Sequence, residues 1–433
     1  MATNPLRTFT RTGGNASFSM REFLSALSPK WRALGLLQHH EKPSFASTSL
    51  AHLASLTKRP QDSFVRVHLP LSTSQPLRET MLNARGYLRV GRLLEELDSF
   101  AGVLAQLHCD DGDVASAPPL LVTAAFDRID VLSDNQPIGA DRDLILEGCV
   151  SFCGRSSLNI AIDVLPAEGA AASPILQANT TFVARDAAGR AVGVPALAPA
   201  TPLEAALWEA GRRAQEERRL KSTASLLKVP PTTAELAAVH SKFLETVGSG
   251  GGGAGVGGAG AWVTPRASGR GRITTESTRL SSTHVTHPQD KNVYGRVFGG
   301  HLMRLAYETA WACGWRATAH APRFLGMSDV LFRRPVEVGE LLTITAEVGF
   351  SEGAVFTVLV DIEQERPGAG GFAPAVSNQL SFLFRMEDDG HPAPTFYPES
   401  YSSSMKWVAG ARQLREGQLR RLPEAAAARF PQF

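Results

Sequence analysis

Two stretches of this chain, 209 positions apart, carry the same punctuation. The first runs from Asn83 to Asp98 (N-A-R-G-Y-L-R-V-G-R-L-L-E-E-L-D) and the second from Asn292 to Tyr307 (N-V-Y-G-R-V-F-G-G-H-L-M-R-L-A-Y). Asn83 aligns with Asn292, Gly86 with Gly295, Gly91 with Gly300 and Leu93 with Leu302, without a gap. Where the first copy has Asp98, the second has Tyr307. A loop and helix start repeated in this way point to a duplicated domain, and hence to two like units packed as an intrachain pseudo-dimer. Divergence at one polar position makes the two faces of that pseudo-dimer unequal.

The element order around each copy repeats as well. A strand-like run comes first (Phe64–Leu71, and Arg272–Val285), then the shared loop, one long helix, and several strands with period-two alternation. Leu158, Ile160, Ile162 and Val164 alternate with Asn159, Ala161 and Asp163; Leu342, Ile344, Ala346, Val348 and Phe350 do the same later, followed by runs at 355–362 and 378–385. One helix against a mainly antiparallel sheet is an α+β layer, so the expected fold is a double β-α-β-β-β-β unit. At 433 residues the chain is long enough for two such cores plus connectors. The expected boundaries are a leader over 1–45, a first domain over 60–200, a helical Ala/Glu/Arg-rich connector over 201–247, a glycine-rich linker over 248–262, a second domain over 270–400 and a helical tail over 401–433. The glycine run lacks the Gly-Lys-Ser/Thr of a phosphate loop, which leaves the linker reading.

Leu93, Leu97, Phe100, Leu104 and Leu107 recur at three- and four-residue spacing and define a buried stripe on the first long helix. Asp98 lies about 120° from the centre of that stripe, beside Leu94, Ala101, Gly102 and Ala105, at roughly 100° per residue. It would therefore border the core, where partial desolvation raises a carboxylate's pKa and its strength as a base. The plain alternative is a solvated surface acid. The Gly299-Gly300 pair lets a ligand approach a helix start whose N–H groups favour a developing oxyanion, although Gly-Gly is also a common tight entry into a helix.

The net charge of +2 divides unevenly. Residues 1–45 hold six Lys/Arg and two acids, so +4, leaving −2 for the rest. The body has no basic stripe with interleaved aromatics, so nucleic acid is not an expected partner. No run approaches 18 apolar residues, so no membrane span is expected. The Arg- and Ser/Thr-containing leader, without an acid before Glu22, reads as an organelle transit peptide, mitochondrial ahead of plastid, against the plainer reading of an unstructured basic tail. Cys109, Cys149, Cys153 and Cys313 fit neither a disulfide framework nor a zinc site, so no metal is expected.

The segment His287–Trp311, with F-R-R-P-V-E-V-G-E-L-L after it, resembles the hotdog-fold acyl-CoA thioesterases. So do R-V-G-R-L-L-E-E-L-D-S-F-A-G, G-R-S-S-L-N-I and the connector K-S-T-A-S-L-L-K-V-P-P in the first half, and the match is to the mitochondrial double-hotdog type over roughly residues 60–415. The resemblance implies two hotdog domains, hydrolysis of fatty acyl-CoA to fatty acid and CoA without a cofactor, and an active site between the domains. It implies that Asn292 works with Asp98 across the interface, with backbone N–H groups near Gly299, Gly300 and His301 polarising the thioester. Asp98 would act as general base or attack directly. The reciprocal site would pair Asn83 with Tyr307, and a phenol cannot stand in for a carboxylate near neutral pH; Glu308, adjacent, points elsewhere on the helix. Arg296 replaces the smaller polar residue usual in related loops and is a candidate for CoA phosphate, as are Arg155, Ser156 and Ser157 at a strand turn. His287, before a proline, reads as loop-shaping, and His301 as a first-turn helix residue. Assembly into a homo-oligomer, a trimer or dimer of double hotdogs, is also implied. The rival readings are a hotdog hydratase or dehydratase and a non-catalytic acyl-CoA sensor.

Overall fold

The structure is a computed structural model that describes residues 8–10, 49–132, 138–167, 173–248, 273–292, 295–366, 375–387, 392–419 and 429–430. The glycine-rich linker after Gly248, most of the leader and part of the tail lie outside the described residues.

The main-sheet strands of the first half are β1 (Thr8–Thr10), β2 (Val65–Leu69), β3 (Leu120–Val131), β4 (Leu144–Cys153), β5 (Ser157–Pro166) and β6 (Leu176–Arg185). Those of the second are β7 (Leu280–Val285), β8 (Pro322–Phe332), β9 (Leu341–Glu352), β10 (Val355–Glu365) and β11 (Ala375–Met386). All join one sheet in the order β1-β2-β4-β5-β6-β3-β8-β11-β10-β9-β7. Removing β1 leaves a palindrome: β2-β4-β5-β6-β3 meets its mirror image where β3 pairs antiparallel with β8, Gly326 opposite Asp130 and Ser328 opposite Arg128. The duplication read from the loops is thus a pseudo-twofold axis through the middle of the sheet.

Each half wraps one long helix, α1 (Val90–His108) in the first and α4 (Gly299–Thr318) in the second, and the two helices pack together. The stripe expected on α1 is too narrow. Every residue from Leu93 to His108 is buried, because the curled sheet covers one side and α4 the other. The expected alternation on β5 fails for a similar reason, since Asn159 and Asp163 are also buried. Helix α2 (Pro202–Thr223) lies over β4 and β5, capped at its start by Thr201 Oγ1 accepting from the Glu204 amide at 3.2 Å. Arg429 and Phe430 pack beside it. Arg429 Nε donates to Asp163 Oδ1 at 2.5 Å and Nη1 to Asn179 Oδ1 at 2.7 Å, while Phe430 is buried beside Phe64, Cys149, Ala161 and Leu207. On the second half, α5 (Tyr401–Leu419) takes the position over β9, β10 and β11. It is tied to α3 (Thr233–Gly248) by the two-pronged Arg412–Glu235 pair.

Candidate functional site

The repeated loops are alike down to their hydrogen bonds. Asn83 N–H donates to Tyr87 O at 2.8 Å and Gly86 N–H to Asn83 O at 3.1 Å. In the second copy Asn292 N–H donates to Arg296 O at 2.6 Å and Gly295 N–H to Asn292 O at 3.1 Å. Gly86 and Gly295 sit at φ +80° and +83°, a left-handed turn that glycine adopts without strain. Each Asn side chain closes its own turn, Asn83 Oδ1 accepting from the Arg85 and Tyr87 amides and Asn292 Oδ1 from the Arg296 amide. Both loops therefore deliver the chain to the next helix in the same way, and what differs is what each helix start meets.

The start of α4 meets Asp98. Gly300 N–H donates to Asp98 Oδ2 at 2.6 Å, and Thr123 Oγ1, on β3, donates to Asp98 Oδ1 at 2.9 Å. The carboxylate is 1% exposed, so it lies inside the interface and does not merely border the core. Its pKa is pushed up to about 7: burial raises it most, the Thr123 and Gly300 hydrogen bonds oppose that rise, and the nearby Glu95 charge adds to it. A Cβ on Gly300 would sit 2.7 Å from the Phe298 ring and 2.8 Å from the Glu95 Cα. Since the second of these is backbone, Gly300→Ala must push α4 away from Asp98. We expect it to lower turnover about 100-fold in a steady-state assay, the scale of a reacting group displaced by an ångström.

The three helix-start amides do not act together as expected. Gly300 N–H is taken by Asp98 and His301 N–H by Phe298 O at 3.1 Å, which leaves the Gly299 amide at this end among the described residues. A Cβ on Gly299 would lie 3.0 Å from Asp98 Oδ2, so this glycine borders the acid directly. Asn292 is not among the hydrogen-bond partners of Asp98. The His301 ring faces a charged cluster: Nδ1 accepts from Arg304 Nη2 at 3.1 Å and lies 3.7 Å from Glu95 Oε1. His287 closes a turn through its amide on Asp290, 2.8 Å away.

One of the two expected CoA contacts lies apart from this cluster. The Arg155–Ser157 turn is at the far end of α1, where Cys153 Sγ lies 3.3 Å from His108 Nε2. That is ten residues, or about 15 Å, along the helix from Asp98. Gly154 N–H donates to Ser157 O at 2.9 Å, as in an ordinary hairpin, and the Arg155 and Ser156 carbonyls accept from Val194 and Ala184. Arg296 pairs with Glu337 at 3.4 Å, a half-exposed contact of little energy that a phosphate could displace.

Thr123 was beyond sequence reasoning, because it lies on a strand that begins 12 residues after α1 ends. The β3–β6 register slips between Thr123 and Ala125, and the β8–β11 register slips between Phe324 and Gly326. Those matching bulges make Phe324 the counterpart of Thr123, and by the same register Phe382 the counterpart of Thr180. In the mirror position Tyr307 packs edge-on against Phe324 at 5.5 Å and Phe382 at 5.9 Å, and tilted against Phe384 at 6.0 Å. Burial, and then the Glu308 charge, push its phenol well above the usual range. Glu308 is held by Arg89 Nε at 3.1 Å. Asp98 and Thr123 are thus replaced by Tyr307 and Phe324, and Thr180, whose hydroxyl donates to the Ala125 carbonyl at 2.8 Å, by Phe382.

Comparison with known proteins meets this asymmetric double unit directly. The thioesterase superfamily profile matches residues 294–370. A Bos taurus protein named acyl-coenzyme A thioesterase 9, mitochondrial, is 31% identical over 399 residues, covering 92% of this chain and 87% of that protein. This chain belongs to the acyl-CoA thioesterase family. The Homo sapiens thioesterase 9 is 31% identical, with 82% of this chain and 77% of that protein covered. Mus musculus acyl-coenzyme A thioesterase 10, mitochondrial, is 29% identical, covering 82% and 78%. As a thioesterase of the double-hotdog kind, the chain has the α+β architecture expected from its repeat.

Proposed function

We propose that this chain hydrolyses fatty acyl-CoA in the mitochondrion, with one working site per chain at the junction of α1 and α4. The observation that carries the reading is the buried Asp98 carboxylate held across the two halves by the Gly300 amide, with no acid at the matching Tyr307. Asp98 takes a proton from water as the water oxygen adds to the thioester carbon. Collapse then breaks the C–S bond, and the CoA thiolate leaves with the proton from Asp98, releasing a fatty acid. The Gly299 amide, at the positive end of α4, faces the oxygen that gains charge. Thr123 keeps the acid in orientation, and Asn292 holds the loop that carries α4 to it. Water, one carboxylate and backbone amides suffice for this chemistry, and CoA enters as part of the substrate. The mirror site, Asn83 with Tyr307 and Glu308, is inert because aromatic rings fill the space beside it.

A thiol-release assay on acyl-CoAs of increasing chain length tests the reading. CoA release supports it. Hydration of crotonyl-CoA without CoA release would indicate a hydratase, and tight binding without release a sensor. The pH profile is a sharper test. A base with a pKa of about 7 must be ionised to act, so kcat/KM is expected to rise about tenfold per unit below pH 7 and level off above it. A flat profile between pH 5 and 8 would exclude Asp98 as the base. Sedimentation of the whole chain reads the proposed assembly into a trimer or dimer of double hotdogs.

A further inference from the structure

Glu95 and Arg304 hold equivalent positions in the two copies, 209 residues apart, yet they bond to each other: Arg304 Nε donates to Glu95 Oε1 at 2.9 Å. The pseudo-twofold axis therefore passes between them. In a pair of identical domains the residue on that axis would meet its own copy, so opposite charges there require two copies that have diverged. The acidic member lies one turn before Asp98 on α1, and the basic member one turn before Tyr307 on α4. The axis has a negative end, and it is on the side of the acid.

We propose that Glu95 is a positioning residue for the reaction at Asp98. Its carboxylate anchors α4 through Arg304, four residues after Gly300, and so seats the Gly299-Gly300 helix start on Asp98. The packing leaves little slack, since the absent Gly300 Cβ would lie 2.8 Å from the Glu95 Cα. Its partners keep Glu95 charged despite burial. Burial pushes its pKa up, but the nearby His301, Arg92 and Arg304 outweigh this and hold it below the usual carboxylate range. The ionisable groups around Asp98 are Glu95 and Arg92 on its own helix and Arg304 and His301 on α4, with Asp290 3.8 Å beyond His301; its strand neighbour Thr123 does not ionise.

The proposal rests on Asp98 being the reacting acid, and the test separates the two. Four variants of the full chain are compared by melting temperature, kcat and pH profile: E95Q, E95R, R304E and the swap E95R/R304E. The single charge reversals are expected to melt lower than wild type, and the swap to regain most of that loss. An arginine at 95 would also face Arg92, which pairs with Glu95 in the wild type, so the swap should nevertheless stay roughly 10- to 100-fold down in kcat. Its acidic limb should move to lower pH, because a cation now stands beside Asp98. E95Q, which keeps the shape, should show the same shift with a kcat about tenfold down. A swap that regains wild-type kcat and pH profile would reduce the pair to packing and overturn the proposal. So would an E95Q enzyme with both unchanged, and E95Q decides alone if the swap does not fold. Full turnover in D98N would overturn the site itself, whereas an inactive D98N with an unaffected E95Q would overturn only the role of Glu95.

Discussion

Asp98→Asn is expected to lower kcat for acyl-CoA hydrolysis by about 10²- to 10⁴-fold, the range over which a positioned base contributes. The substitution keeps the shape of the side chain and still accepts one of the two hydrogen bonds from Thr123 and Gly300. Acyl-CoA binding, followed by calorimetry, should persist. The same variant has an opposite effect on stability. Burial raises the folded pKa of Asp98 from 3.8 to about 7, so its stabilising contribution is complete below pH 4 and is lost as pH rises through 7. The difference amounts to about 4 kcal/mol at 1.36 kcal/mol per unit. Asn carries no such charge, so D98N should melt higher than wild type at pH 8 and nearly level with it at pH 4. Retained turnover, or a melting difference independent of pH, would show that Asp98 is neither the base nor a strained buried acid.

Arg429→Ala is expected to destabilise the chain by about 3–5 kcal/mol, the cost of leaving one member of a buried ion pair alone. Asp163 is fully buried, and Arg429 reaches it through both its backbone amide at 2.9 Å and its side chain at 2.5 Å. Phe430→Ala should cost a similar about 3–5 kcal/mol by opening a cavity against Phe64, where the ring centroids are 5.7 Å apart. Adding D163N to the Arg429 variant should recover part of the loss, since it removes the stranded charge. Chemical denaturation of the three proteins reads this directly. A loss below about 1 kcal/mol, the level of a surface pair, would mean that the tail does not occupy its seat in solution.

Much of the fold was legible because the duplication preserved features that act locally. Asn83 and Asn292 close turns within four residues of themselves, and Gly86 and Gly295 supply a backbone angle, so both leave marks in a short window. Asp98 was legible by contrast with Tyr307. What escaped depends on distant segments. Thr123 reaches Asp98 from a strand that begins 12 residues after α1 ends. The burial of Asp163 depends on an arginine 266 positions away, so its strand read as half-exposed. Glu95 and Arg304 were visible as counterparts, but their meeting was not, because nothing in the repeat says which residues lie on the axis. The helix-start amides were read as free donors, whereas Gly300 is committed to the acid it faces.

The seat of Arg429 and Phe430 also bears on how this chain is made. A polypeptide emerges from the ribosome, or from a membrane translocase, with its amino-terminal half first. That half contains Asp163, Cys149 and the apolar patch around Ala161, all covered by Arg429 and Phe430, the arginine lying 266 positions after Asp163. Until those two residues arrive, the first domain carries an acid without its arginine beside a more open apolar face. Its folding can begin early and cannot finish until both have emerged, so a nascent chain stalled before Arg429 would hold a form that chaperones recognise as incomplete.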